Sequence, residues 1–293
     1  MIASRLVRIF YKGSRTYFYS SLFFSGAVKR DVFTLYAFVR TADDFVDQVP
    51  QDGAGFEAFA ARYRAALAGR PAGDPVIDGF VELAGRKGFD PAWTESFLEA
   101  MRQDLSQATY ATLDAVERYM YGSAEVIGLY MARLLDLPEA ALPAARRLGK
   151  AMQYANFLRD VAHDRELGRT YLPRTVLERH GLASLDAAEV AARPERFAAL
   201  MRDEIARYRR WQAQAEVGYA YLPPRARIPI QTAADMYLWA TEEIARRPGV
   251  VFERQVKPSA VRILACIARN AAATALSAPR GLSASLARLV PWR

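Results

Sequence analysis

The sequence predicts an all-α fold, a single helical bundle. Leu, Ala, Arg and Glu are plentiful, while Val and Ile form no long alternating runs. Apolar residues make up 52% of 293 residues at a mean hydropathy of −0.07, which fits a soluble chain with a well-filled interior. Helix-like stretches alternate with short Gly/Pro breaks, and none of these breaks is long enough to read as an interdomain linker. Residues 1–293 are therefore expected to form one domain, with 279–293 as a basic tail.

The elements follow from the breaks. A helix over 14–24 opens after Gly13, and a second over 28–48 ends at the Pro50 to Gly55 break. Helices over 54–68, 75–86 and 91–107 are separated by Gly69 to Pro75 and by Gly85 to Pro91. Long periodic stretches predict helices over 112–136 and 139–166. Pro173 and Pro194 bound the next region, in which 180–195 reads as the longest irregular connection. Helices over 195–219, 229–247 and 258–277 are divided by Pro223-Pro224 and by Pro248-Gly249.

Two acidic clusters about 110 residues apart carry the functional signal: Asp43-Asp44-Phe45-Val46-Asp47, and Asn156 through Asp160 to Asp164. Both lie in apolar helical stretches, where charge is costly without a partner. Tyr36, Arg40, Asp43 and Asp47 fall at steps of four, three and four and form one stripe. Val32, Leu35, Val39, Ala42 and Val46 form the apolar stripe beside it. Gln153, Asn156, Asp160 and Asp164 likewise share a face. Carboxylates at i and i+4 repel each other when bare, and a divalent cation shared between turns removes the repulsion. Arg40 and Arg159 lie in register with these rows, as partners for phosphate oxygens. Facing carboxylate rows of this kind can hold several Mg²⁺ ions against a diphosphate.

The net charge of +8 admits nucleic acid, an anionic membrane or phosphorylated substrates as partners. The Arg residues are dispersed, with no basic run interleaved with aromatics, which argues against nucleic acid. The single cysteine, Cys266, reads as a buried core residue and suits a reducing, cytoplasmic setting. Two distant histidines, His163 and His180, offer no zinc site and read as surface groups. The N-terminus carries no signal-peptide pattern, and no stretch of about 18 apolar residues predicts a membrane span.

Five blocks resemble the squalene/phytoene synthase family of head-to-head prenyltransferases: Ser14-Arg15-Thr16-Tyr17, Leu35 to Asp47, Tyr119 to Gly128, Gln153 to Pro173, and Leu222 to Arg227. The resemblance implies an α-helical domain around a deep cavity, in which two allylic diphosphates are joined. It implies Mg²⁺ (or Mn²⁺) on Asp43, Asp47, Asn156, Asp160 and Asp164. It implies diphosphate contacts from Ser14, Arg15, Thr16, Arg40, Gln153, Asn156, Arg159 and Arg169. Tyr36, Tyr121 and Tyr171 would then face the carbocation, with Arg40 and Arg159 in catalytic contact. The chain departs from the family pattern at Phe33, Glu125 and His163.

Chain length of the substrate is read from Ser21, one turn beyond Tyr17 on the same helical face. A small residue there leaves room for a C20 tail, so two geranylgeranyl diphosphates giving phytoene is the favoured reaction. Two farnesyl diphosphates giving squalene, dehydrosqualene or presqualene diphosphate is the alternative, with NADPH only for squalene. A non-catalytic prenyl-lipid-binding or assembly subunit is the alternative of another class. The basic tail, with Leu282, Leu286, Leu289 and Trp292, reads either as a cap docked on the protein's own helices or as a peripheral contact with the inner face of the cell membrane.

Overall fold

The structure, a computed structural model, describes residues 4–13, 18, 21 and 23–277. Among these residues it contains helices and turns, with a single isolated parallel bridge between Thr109 and Thr170. Helix α1 spans Ser4–Gly13, α2 Gly26–Asp47, α3 Gly53–Leu67, α4 Pro75–Lys87 and α5 Pro91–Gln103. Helix α6, Leu113–Met120, continues through a π-helical turn, Tyr121–Glu125, into α7, Val126–Leu134. Then come α8 (Leu142–Arg159), α9 (Val161–Glu166), α10 (Arg174–Arg179), α11 (Ala187–Ala192) and α12 (Pro194–Glu216). Helices α13 (Pro224–Arg246) and α14 (Ala260–Ser277) complete the bundle, each preceded by a 3-10 turn, at Val217–Tyr221 and Pro248–Phe252.

Local chemistry sets several boundaries. Asp52, Asp74 and Asp90 cap α3, α4 and α5 by accepting from the amides of Gly55, Val76 and Ala92. Pro75 and Pro91 sit at the first helical position, where the missing N–H leaves no bond unmade. Gly88 ends α4 at φ 62°, a left-handed backbone that a side chain would strain.

Helix α8 runs through the centre, packing on α7, α12 and α13 with Ala151, Tyr154, Ala155, Phe157 and Leu158 buried. Helix α2 packs on α1, α3 and α4, and its Phe38 ring stacks on Phe80 at 3.8 Å. Fully burying one such ring contributes about 1.5–3 kcal/mol. Around the π turn, backbones meet closely. A Cβ on Gly122, Gly128 or Gly149 would lie 2.2, 2.1 or 2.3 Å from the carbonyl oxygens of Ser96, Ala145 and Ala124.

Several boundaries differ from the sequence reading. The stretch 112–136 is interrupted by the π turn, and 139–166 breaks at Asp160. The connection 180–195 contains α11, and the residues before 14 form α1. Helix α13 begins at Pro224 and carries Pro229 inside it. Pro229 is buried there with Ile228, Ala233 and Met236, so packing outweighs the lost helical hydrogen bond. His180 is half-buried rather than at the surface: its side chain is 10% exposed and lies 3.4 Å from Asp203. His163 is at the surface, near Glu166, and Cys266 is buried, both as expected.

Candidate active site

The first acidic motif rides on the last three turns of α2. Arg40 donates to Asp43 and also pairs with Asp44, each at 2.6 Å. Tyr36, one turn earlier, stacks on Phe10 at 4.0 Å and shares the field of Arg40, Asp43 and Asp44. Its hydroxyl lies against Gly13, and Tyr237 of α13 approaches from the other side. Burial pushes the Tyr36 hydroxyl well above its ordinary range, so it stays protonated.

The second motif is not one helix. The chain leaves helical geometry at Asp160, with φ −100° and ψ 19°, so Asn156 and Arg159 end α8 while Asp164 sits on α9. Arg159 holds both oxygens of Asp160, at 2.9 and 2.5 Å. Gln153 accepts from the Asn156 amide at 3.2 Å, leaving the buried Asn156 Oδ1 without a hydrogen-bond partner.

Arg169 joins the two motifs. Its side chain is 5% exposed, pairs with Asp47 at 2.8 Å and also donates to the Val46 carbonyl. Backbone pairing sets this contact up: Thr170 N donates to Ala108 O, and Arg174 N to Tyr110 O. The same pairing carries Tyr171 to Asp104, the residue that follows α5. Tyr171 and Tyr119 donate to its two carboxylate oxygens at 2.8 and 2.7 Å. Gln51 ties the Asp104 and Val46 carbonyls together at 2.9 and 2.7 Å. The Tyr171 ring stacks on Phe157 at 4.3 Å and on Tyr119 at 5.3 Å.

The electrostatics follow from this crowding. Burial, and then the charge of Asp47, push the Asp43 carboxyl up to about 8 against the pull of Arg40. Burial and Asp160 hold Asp164 well above the carboxylate range. Burial lifts Asp104 to about 6 even though Arg169 and two tyrosine hydroxyls favour its anion. Asp43 feels Asp104, and Asp164 feels both Asp47 and Asp104, so carboxylates from α2, α5 and the α8–α9 junction share one region.

A hard divalent cation fits these groups. The donors are all oxygens, the carboxylates repel one another, and the orphaned Asn156 Oδ1 is a ready ligand. Among the described residues no three acidic, His or Cys groups enclose a metal by themselves. Mg²⁺ does not require such a cage, since it is commonly held by one or two carboxylates together with substrate phosphates and water.

Of the sequence-predicted residues, Tyr36, Arg40, Asp43 and Asp47 share α2, Gln153, Asn156, Arg159 and Asp160 share the end of α8, and Asp164, Arg169 and Tyr171 lie with Asp47 and Asp104. Ser14, Arg15 and Thr16 lie outside the described residues, as does the tail 279–293. Tyr121 lies one turn away from this network. It begins the π turn, and its ring lies under the Arg146 guanidinium at 5.1 Å, in a cluster with Glu125. The helix turns about 100° per residue, so a tyrosine two positions earlier faces another way, and Tyr119 is the one that reaches Asp104. Tyr171 puts its hydroxyl on Asp104 and stacks its ring on Phe157, so it orients that carboxylate. Sequence reasoning missed Asp104, Tyr119 and Tyr237. Asp104 is a lone acid at a helix end, with no spacing to mark it.

Open space is unevenly distributed. The gap beside Asp164, lined by Phe157, Arg169, Tyr171 and Leu185 among others, is about 10 Å³ because Arg169 and Tyr171 fill it. A cleft of about 540 Å³ lies at the start of α13, lined by Glu216, Tyr219, Arg227, Gln231 and Asp235 among others.

An α-helical bundle with two arginine-clamped acidic motifs facing a shared region is the framework of an isoprenoid synthase. A family model described as squalene/phytoene synthase matches residues 10–262, and the chain belongs to this family of prenyltransferases. It is 34% identical over 245 residues to a 15-cis-phytoene synthase of Pantoea ananas, covering 77% of this chain and 76% of that one. It is 32% identical to a 15-cis-phytoene synthase of a Paracoccus strain, with coverage of 77% and 76%. Among solved structures, a dehydrosqualene synthase in complex with ligand superposes with a TM-score of 0.78 at 21% identity, covering 92% of this chain and 95% of that one. Squalene synthase HpnC from Alicyclobacillus acidocaldarius superposes with a TM-score of 0.74 at 23% identity, covering 84% and 93%. At these identities the structural likeness concerns the fold.

Proposed function

We propose that the protein joins two geranylgeranyl diphosphates head to head, through a cyclopropylcarbinyl diphosphate, to form phytoene. The observation that carries this reading is the Arg169 bridge, which ties the segment after the second motif to Asp47 at the end of the first. The names of the curated relatives, at up to 34% identity, support the C20 product.

Asp43, Asp47, Asn156, Asp160 and Asp164 would hold Mg²⁺, which when bound supplies charge to the departing diphosphate. Arg40 and Arg159, which pair with Asp43 and Asp160, would donate to the diphosphate oxygens, and Gln153 orients Asn156. Ser14, Arg15 and Thr16 complete the anion contacts. Arg169 keeps Asp47 and its helix end in place. Tyr36 turns an aromatic face toward the developing cation and, held protonated, offers it no nucleophile. Asp104 is the anchor on which Tyr119 and Tyr171 are oriented.

No described helix is long and apolar enough to cross a membrane. We infer peripheral contact with the inner membrane face, where a C40 hydrocarbon can leave into lipid. Flotation with anionic vesicles, with and without residues 280–293, tests that contact. The reaction itself is tested by incubating purified protein and Mg²⁺ with geranylgeranyl or farnesyl diphosphate, with and without NADPH, and identifying the hydrocarbons. Phytoene from the C20 substrate without reductant is expected. A product from farnesyl diphosphate alone would replace the C20 reading.

A further inference from the structure

Helix α14 has one face in the protein and one face left open by the described residues. It packs on α13, and Ile263, Cys266, Ile267, Asn270 and Thr274 on its inward side are buried. At about 100° per residue, Val261, Leu264, Ala265, Ala268, Ala272 and Leu276 fall within about 120° on the opposite side. All six are exposed, Val261 to 77%, Leu264 to 53% and Leu276 to 88%. The large side chains stand toward the two ends and the alanines fill the middle, so an apolar stripe runs the length of the helix with no charged residue inside it. A contiguous exposed stripe of this kind marks an interaction surface, unlike a single exposed leucine.

The charges beside the stripe select its occupant. Arg262 and Arg269 lie along one edge. Arg262 is held over the Trp239 ring of α13 at 4.5 Å, and Arg269 pairs with Asp235 at 2.8 Å. Helix α14 contains no acidic residue. The whole stretch from Arg254 to Arg293 has seven Lys or Arg and no Asp or Glu. A second copy on this face would set two basic, acid-free helices against each other, and residues 278–293 carry the same sign of charge. An anionic lipid surface meets both features at once, with acyl chains for the stripe and phosphate groups for the arginines. Trp239, half-buried at the edge, is the side-chain type that suits the headgroup level.

We propose that the exposed face of α14 docks on an anionic phospholipid surface, with Val261, Leu264 and Leu276 entering the acyl boundary and Arg262 and Arg269 at the headgroups. The surface rests on the peripheral membrane contact inferred under Proposed function and gives that contact a location. The helix lies in the plane of the interface, since no described helix is long and apolar enough to cross a membrane.

The test is flotation of the full chain with vesicles of phosphatidylcholine and phosphatidylglycerol, and with vesicles of phosphatidylcholine alone. The wild type should float with the anionic vesicles and bind the neutral ones about tenfold less. Leu264→Gln combined with Leu276→Gln should cut binding to anionic vesicles about tenfold and leave the melting temperature unchanged, because both side chains stand in solvent. Arg262→Gln should weaken binding by a smaller factor, about fivefold. Leu67→Gln, at an exposed leucine on α3, should not weaken it. A double variant that binds anionic vesicles within twofold of wild type overturns the surface while peripheral contact stands. A wild type that binds neither vesicle overturns both readings, and equal binding to the two vesicles overturns the choice of anionic lipid. A lower melting temperature in the double variant means that the chain itself, residues 278–293 included, already covers the face. A wild-type dimer that the double variant turns into a monomer means that a second copy covers it. Either result overturns the proposal.

Discussion

The two acidic motifs look alike in sequence and differ in construction. The first occupies one unbroken helix, so Asp43 and Asp47 keep the fixed relation of neighbouring turns. The second is hinged: Asp160 sits at a break between α8 and α9, and Asp164 belongs to the shorter, separate helix. The first is clamped from within by Arg40 and from outside by Arg169, which itself lies just beyond α9. A continuous row is therefore joined to an interrupted one, and the segment after the interrupted row supplies the arginine that joins them.

The largest effects should come from removing one carboxylate on each side. Asp43→Ala and Asp160→Ala should each lower turnover by roughly 10²-fold or more, the scale for loss of a preorganised electrostatic group. Circular dichroism should stay close to wild type for both. The comparison sharpens in Mg²⁺ titrations. If only the Asp43 variant shifts the Mg²⁺ dependence, the second motif is not a ligand row.

Arg169→Met cuts the connection between the motifs. It removes a buried partner of Asp47 and leaves Asp104 without the cation nearest it, a class of change that costs about 3–5 kcal/mol. Chemical denaturation should read this as a lower midpoint. A double-mutant cycle with Asp47→Asn should show strong coupling, and additivity would mean that the motifs are independent.

The pH dependence tests the crowding directly. Folding raises the Asp43 carboxyl from an ordinary 3.8 to about 8 and Asp104 to about 6. The folded state therefore binds more protons than the unfolded state between these values. This contribution to stability is complete below pH 3.8 and is lost as the pH rises through about 8. Without divalent cation, the melting temperature should fall across pH 5 to 8 once other titrations are matched with an Asp43→Asn control. Mg²⁺ with pyrophosphate should flatten the slope. An unchanged slope in that control would show that Asp43 is not the titrating group.

The smallest contrast is between neighbouring tyrosines. Tyr119→Phe loses a hydrogen bond to a carboxylate, worth about 1.5–3 kcal/mol. Tyr121→Phe keeps its ring beneath Arg146 and should fall within about 0.5 kcal/mol of wild type in stability. Equal effects would mean that Tyr119 owes its place to packing alone.

The same contrast explains what the sequence made legible. Stripes at helical spacing gave α2, its apolar face and its acidic row, because one continuous helix preserves 100° per residue. That rule fails where the helix changes period. The π turn after Met120 holds Gly122 inside a stretch that otherwise reads as helix, and the break at Asp160 has no Gly or Pro beside it to announce a stop. Asp104 was illegible for another reason: it reaches the site by tertiary contact alone, through the Thr170–Ala108 backbone pairing that brings Tyr171 to it.

The glycines around the π turn have a consequence for motion. Gly122, Gly128 and Gly149 let α5, the π turn, α7 and α8 approach backbone to backbone, with no side chain between them to act as a lubricant. Opening any one of these seams exposes the others, so they form a cooperative unit. Its amides should be among the slowest in the chain to exchange with deuterium, close to the limit set by global unfolding. The hinge at Asp160 lies at the edge of this slow block. Breathing of the active site is then confined to the short helices beyond it, and a variant such as Gly128→Ala would speed exchange on both sides of the π turn at once.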